Sequence, residues 1–211
     1  MLLLITTTAC ANIAKNNSKT PKETTNEARN DSVKIGETIA LNDSRAFTKN
    51  MEGYNYVILE KAGVEVVVDK APDDPIKNVD KSLQFSELEF SPNGNYLKYK
   101  ATGWEWEMGR VFDIKNNKQL LELDSPKDFG FMNNGEYLYA CAQNDFVGVY
   151  YAKVFKAPDF NVYKEIEINT STLPIDIECK YLKDENVFVV SQMDNEKGEM
   201  AEVERVEFVT Y

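Results

Sequence analysis

The segment Trp104, Glu105, Trp106 and Glu107 brings both tryptophans of the chain together with two carboxylates. On a β-strand alternate side chains point to opposite faces, so the indoles would share one face and the glutamates the other. Paired aromatic rings beside acids are suited to binding a sugar or a peptide, which makes these four residues the candidate binding site. The other interpretation of the pattern is that both indoles fill a core between sheets.

The chain of 211 residues contains no histidine and has a formal net charge of −11. Without histidine there is no Ser-His-Asp triad, no Cys-His dyad and no histidine-ligated zinc or haem. No Gly-rich phosphate loop or nucleophile elbow is present either. We therefore expect no catalytic residues, no metal site and no cofactor. The acidic balance also disfavours nucleic acid as a partner, because phosphates are repelled.

The amino terminus predicts export and lipidation. A short apolar run, Leu2 to Ile5, is followed by small residues and then by Cys10. The stretch TTAC at 7–10 resembles the lipobox of bacterial lipoproteins, although Thr7 stands where an aliphatic residue is usual. This resemblance implies that residues 1–10 form a signal and that Cys10 receives the lipid anchor.

Residues 11–33 predict a flexible tether after that cysteine. They are rich in Asn, Thr, Lys and Ser and contain no aromatic residue. Such a segment buries too little apolar surface to offset the entropy of ordering it, so we expect disorder. Residues 1–33 carry four basic and three acidic side chains, so residues 34–211 hold a net charge of −12. The acidity belongs to the part of the chain expected to fold.

From residue 34 onward the sequence predicts an all-β fold. Short runs rich in Val, Ile, Tyr and Phe alternate with turn signals such as Asn93-Gly94 and Asn134-Gly135, and no helical period persists over a dozen residues. The predicted strands are 54–60, 64–68, 83–90, 96–101, 109–114, 119–123, 137–142, 149–155, 162–168, 187–191 and 201–211. Two-residue Asn-Gly turns favour antiparallel hairpins.

The sequence also repeats. The octet FSPNGNYL at 90–97 matches FMNNGEYL at 131–138 in five of eight positions, at an offset of 41 residues. A weaker third copy begins near Tyr181, and residues 54–75 fit the end of an earlier one. A period of 40–45 residues with about four strands per unit is typical of propeller blades. FSPNGNYL, with the hairpin GRVFDI at 109–114, resembles the repeat of bacterial WD40-like propellers.

The resemblance implies a propeller-like array of about four antiparallel blade units, either a small propeller or an incomplete one. Another antiparallel β-sandwich is the alternative. The usual WD40 polar network needs histidine, so we expect the blades to be held by apolar packing. An open arc of blades would leave an edge that invites an oligomer or a partner.

The repeats bear on Cys141 and Cys179 as well. With Cys10 lipidated, these two make an even number in an exported protein, and a disulfide is one interpretation. However, Cys141 follows the turn of its repeat while Cys179 precedes the turn of the next, which does not by itself bring their Cα atoms within the ~6 Å required. The sequence leaves the pairing open and favours two separately buried thiols.

Three functions remain open at this point. The first is a non-enzymatic, membrane-tethered lipoprotein whose WD40-like domain binds or scaffolds a protein in the bacterial cell envelope. The second is a ligand-binding or hydrolytic propeller that acts on a sugar-like or cationic ligand. The third is a secreted or periplasmic partner of the inhibitor or immunity type.

Overall fold

The computed structural model describes residues 34–39, 43–78, 81–144, 148–170, 176–194 and 197–208. Fifteen strands in four antiparallel sheets make up almost all of the regular structure in these residues. The predicted signal (1–10) and tether (11–33) lie outside these residues. Within the described part of the chain no helix has the length and apolarity to cross a bilayer.

Each sheet takes its strands from one continuous stretch of chain, in sequential order, as the blades of a propeller do. Blade A holds β1 (Lys34–Ile39), β2 (Arg45–Met51), β3 (Tyr54–Lys61) and β4 (Val64–Pro72). Blade B holds β5 (Gln84–Phe90), β6 (Tyr96–Thr102), β7 (Glu107–Asp113) and β8 (Lys118–Asp124). Blade C holds β9 (Pro126–Met132), β10 (Tyr137–Asn144), β11 (Val149–Lys156) and β12 (Asn161–Ile166). Blade D holds β13 (Ile177–Leu182), β14 (Val187–Asp194) and β15 (Glu199–Glu207).

The predicted repeat corresponds to blades B and C. Phe90 lies opposite Leu97 across the first hairpin of blade B, and Phe131 lies opposite Leu138 at the same place in blade C. Both leucines are fully buried. The turn of blade C is a short 3₁₀ segment, Asn133–Gly135, in which all three residues have positive φ. The fold prediction of about four antiparallel blades is confirmed.

Apolar cores join neighbouring blades in chain order. Val57 and Leu59 of blade A pack with Leu97 and Tyr99 of blade B. Equivalent clusters join blade B to blade C around Phe129 and blade C to blade D. Among the described residues no such cluster joins blade D back to blade A, so they form an incomplete propeller.

The expectation that apolar packing alone holds the blades together was wrong at the junction of blades A and B. Asp69 on β4 accepts hydrogen bonds from the Tyr99 hydroxyl at 3.0 Å and from Arg110, with which it also forms an ion pair. The Arg110 guanidinium binds Glu122 as well, at 3.0 Å. Burial, followed by the Asp69 charge, raises the pKa of Tyr99, so its phenol stays neutral. A carboxylate, a phenol and a guanidinium thus provide a polar network without histidine.

The preference for two separate thiols was also wrong. Cys141 on β10 and Cys179 on β13 form a disulfide, with their Cα atoms 6.3 Å apart. The packing of blade D against blade C brings the two strands together, and both cysteines contribute to the same core. The bond therefore links blade C covalently to blade D.

Candidate functional site

The candidate binding segment lies at one end of blade B, which we call the upper rim. This rim comprises the turns between the second and third strands of each blade and the connections from one blade to the next. Trp104, Glu105 and Trp106 belong to the turn between β6 and β7, which is closed by a 2.8 Å hydrogen bond from the Gly103 N–H to the Trp106 carbonyl. The segment therefore does not form the strand on which both indoles would share one face, and only Glu107, the first residue of β7, belongs to a strand.

The turn separates the two indoles instead of placing them on one face. Trp106 packs against the core between blades A and B. Its ring lies so close to Gly103 that an added Cβ there would be 2.5 Å from Trp106 Cε2. Trp104 points away from the core and is 69% exposed. The core interpretation is thus correct for Trp106, whereas Trp104 is left exposed.

Trp104 lies at the wall of a cleft of about 340 Å³ at the junction of blades B and C. The first wall is the β6–β7 turn. The second wall consists of residues from the start of β9 and the end of β10. The lining residues are Thr102, Gly103, Trp104, Glu105, Trp106, Glu107, Ser125, Pro126, Lys127, Gln143 and Asn144.

The two glutamates of the cleft have different surroundings. Glu107 forms a 3.1 Å ion pair with Lys100, which also pairs with Glu87 at 3.2 Å. Burial lowers the pKa of the Lys100 ammonium, but hydrogen bonds and charge from the two glutamates outweigh this and raise it overall. Glu105 is exposed and makes no ion pair or hydrogen bond with any residue that the structure describes. Its carboxylate is available to a ligand.

The second wall is held in place by Lys127. Its ammonium donates to Gln143 Oε1 at 2.8 Å, to the Ile177 carbonyl at 3.0 Å and to Asp176 Oδ1 at 3.1 Å. Because its donors are used within the protein, Lys127 fixes the position of this wall. Ser125 connects the two walls, since its N–H donates to the Glu107 carbonyl at 2.8 Å.

This arrangement is suited to recognising a cation. An exposed indole attracts an ammonium or guanidinium group to its face, and the adjacent Glu105 carboxylate supplies the opposite charge. Sequence reasoning located the first wall but not the second, Lys127 and Gln143 included. No sequence signal marks those residues, because they reach the cleft only when blade C packs against blade B.

No family model matches the chain, and no curated protein matches it. Solved structures are similar at low identity. One, from a study of two prolyl endopeptidases, is 10% identical and matches 76% of this chain and 26% of its own, with a TM-score of 0.50. The β-propeller domain of the trilobed protease from Pyrococcus furiosus is 12% identical over 83% of this chain and 58% of its own, with a TM-score of 0.47.

TolB from Acinetobacter baumannii is 12% identical over 81% of this chain and 43% of its own, with a TM-score of 0.41. The chain thus spans 26% to 58% of the length of these three structures. At such identities the first likeness, with its TM-score of 0.50, concerns the fold alone. The chemistry of the site must be argued from its own residues.

Proposed function

We propose that the chain is a membrane-tethered lipoprotein whose WD40-like propeller domain binds a protein partner in the bacterial cell envelope, without catalysis. The exposed Trp104 indole at the wall of the cleft, beside the uncommitted Glu105 carboxylate, carries this proposal. Large exposed aromatic side chains are enriched where proteins bind one another, because they bury much area at small entropic cost.

The chemistry of the cleft favours a lysine or arginine side chain of the partner as its occupant. Residues 34–211 carry a net charge of −12, which would attract a basic protein surface and speed the encounter. Within the cleft, the cation would lie over the Trp104 ring and against Glu105. The amine already present, Lys127, is occupied by three acceptors of the protein itself.

Affinity capture tests the binding role. The full chain, immobilised through a carboxyl-terminal tag, is exposed to the envelope fraction of its source organism, alongside Trp104→Ala and Glu105→Gln variants. Val64→Ala is the matched control, since Val64 is similarly exposed, at 63%, but begins β4 beside the β3–β4 turn, at the end of blade A opposite the upper rim. We expect the same protein on the wild-type and Val64→Ala columns and its loss from the other two. Equal recovery from all four columns would refute the cleft as the binding site.

The lipoprotein part of the proposal rests on Cys10 and its preceding small residues. Mass spectrometry of the mature protein from its own host is the direct test. We expect an amino-terminal peptide that begins at Cys10 and carries diacylglycerol. A mature chain that retains residues 1–9 and an unmodified thiol would contradict lipidation, whatever the outcome for the cleft.

A further inference from the structure

Blade D differs from the other three blades in having no fourth strand among the described residues. Its strands follow the order β13-β14-β15, whereas blades A, B and C each add a fourth strand beside the third. Lys127 and Gln143 of blade C bind the beginning of β13 at the upper rim, so β13 starts at the same rim as β9. It therefore takes the first position of its blade, and β15 takes the third.

β15 is more exposed than the third strands of the other blades. In blades A to C the third strands β3, β7 and β11 have three to five buried residues each. In β15, which is longer, only Val206 is buried, and Val203 in mid-strand is 43% exposed. The backbone groups on the outer edge of β15 pair with no strand in the described part of the chain, and such an edge is a template for an added strand.

The charges of β15 indicate what kind of strand would pair with it. The strand carries four glutamates and a single arginine, Arg205, which already binds Glu202 and Glu185. Glu199 and Glu207, at the two ends of β15, form no ion pair with any described residue. Both are exposed, so an incoming strand with lysine or arginine at its ends would meet two available carboxylates.

A second copy of β15 is a poor occupant of this edge. Antiparallel pairing of all nine residues of two copies would place Glu199 opposite Glu207 and Glu202 opposite Glu204, each twice. Like charges directly opposite each other on neighbouring strands are destabilising. The glutamates therefore disfavour self-association and favour a basic partner.

From these observations we infer that the free edge of β15 is a docking site for an extended, basic segment of a partner protein, which completes blade D as its fourth strand. The segment runs antiparallel to β15 and is held by backbone hydrogen bonds, with its lysine or arginine side chains against Glu199 and Glu207. This surface is separate from the cleft at Trp104, so either proposal can fail without the other.

Hydrogen exchange of the full chain, measured residue by residue on the β15 amides, tests this inference. The probe is a nine-residue peptide that alternates lysine with valine or threonine, and its counterpart replaces every lysine with glutamate. We expect the basic peptide to slow exchange in β15, and the acidic peptide to leave it unchanged. Glu207→Lys should weaken binding of the basic peptide about fivefold, whereas Glu178→Lys, on β13 at the other edge of the same blade, and Trp104→Ala should not.

Three outcomes would overturn the inference. The first is an absence of β15 protection at millimolar basic peptide. The second is full protection of β15 in the free chain at every protein concentration, because the chain itself would then cover the edge. The third is protection that rises with protein concentration alongside a dimer in sedimentation equilibrium, because a second copy would then be the occupant.

Discussion

The disulfide between Cys141 and Cys179 gives the sharpest prediction for stability. It closes 38 residues of chain and links β10 of blade C to β13 of blade D. Closing a loop of that length in the unfolded state stabilises the folded state by about 4 kcal/mol at 25 °C on the chain-entropy account. With a urea dependence of about 2 kcal/mol per molar for a domain of this size, reduction should lower the unfolding midpoint by about 2 M.

The assay compares the oxidised and reduced forms of one protein. A Cys10→Ser chain leaves only Cys141 and Cys179, so thiol titration should find no free thiol before reduction and two after it. Because both sulfur atoms stay in place on reduction, this comparison isolates the covalent bond from packing. A Cys141→Ala, Cys179→Ala chain, compared with the reduced protein, then changes the packing alone. Free thiols in the oxidised protein would contradict the bond. Midpoints within about 0.3 M of each other would contradict the loop-entropy reasoning.

Three further predictions concern blades A and B. Gly103→Ala should displace the Trp106 ring and lower the free energy of unfolding by about 1–3 kcal/mol, because the added methyl group would overlap the indole. Unchanged tryptophan emission would contradict the close contact. Above pH 10 the free energy of unfolding should fall by about 1.4 kcal/mol per pH unit because of Tyr99. Folding raises the pKa of this phenol, so it ionises first in the unfolded chain. Tyr99→Phe should flatten this slope in urea titrations at pH 9 to 11. Arg110→Met should cost about 2–3 kcal/mol by leaving the Asp69 carboxylate, which is only 16% exposed, without its cation. A double-mutant cycle with Asp69→Asn should recover most of that loss, and strictly additive effects would exclude the pair.

Much of the β architecture could be predicted from the sequence, because alternating apolar residues and Asn-Gly turns are local signals. The octets at Phe90 and Phe131 marked the first hairpins of blades B and C. The first strands of blades A, C and D were missed, as was β2, whereas β5 of blade B lies within the predicted strand 83–90. β9 begins with Pro126 and contains Gly130, and β13 carries Glu178 and Lys180 among its six residues. These segments are strands because they pair with other strands of their blades, and such pairing has no local signal in the sequence.

The cleft shows the same limit. The alternation of Trp and Glu at 104–107 is what a strand would have, yet Thr102 pairs with Glu107 and leaves four residues for the turn. That register depends on the whole β6–β7 pair and not on the tetrapeptide. The salt bridge between Asp69 and Arg110 was equally unpredictable, because its partners lie 41 residues apart on different blades in a chain rich in both charges.

The central claim is that the cleft beside Trp104 binds a basic protein surface, and one binding isotherm tests it most directly. The partner recovered by affinity capture is purified and titrated by calorimetry against the full chain, Trp104→Ala and Val64→Ala. We predict equal affinities for the wild type and Val64→Ala, and a loss of at least tenfold for Trp104→Ala, as expected for an aromatic residue at the centre of an interface. Equal affinities for all three proteins would contradict the account.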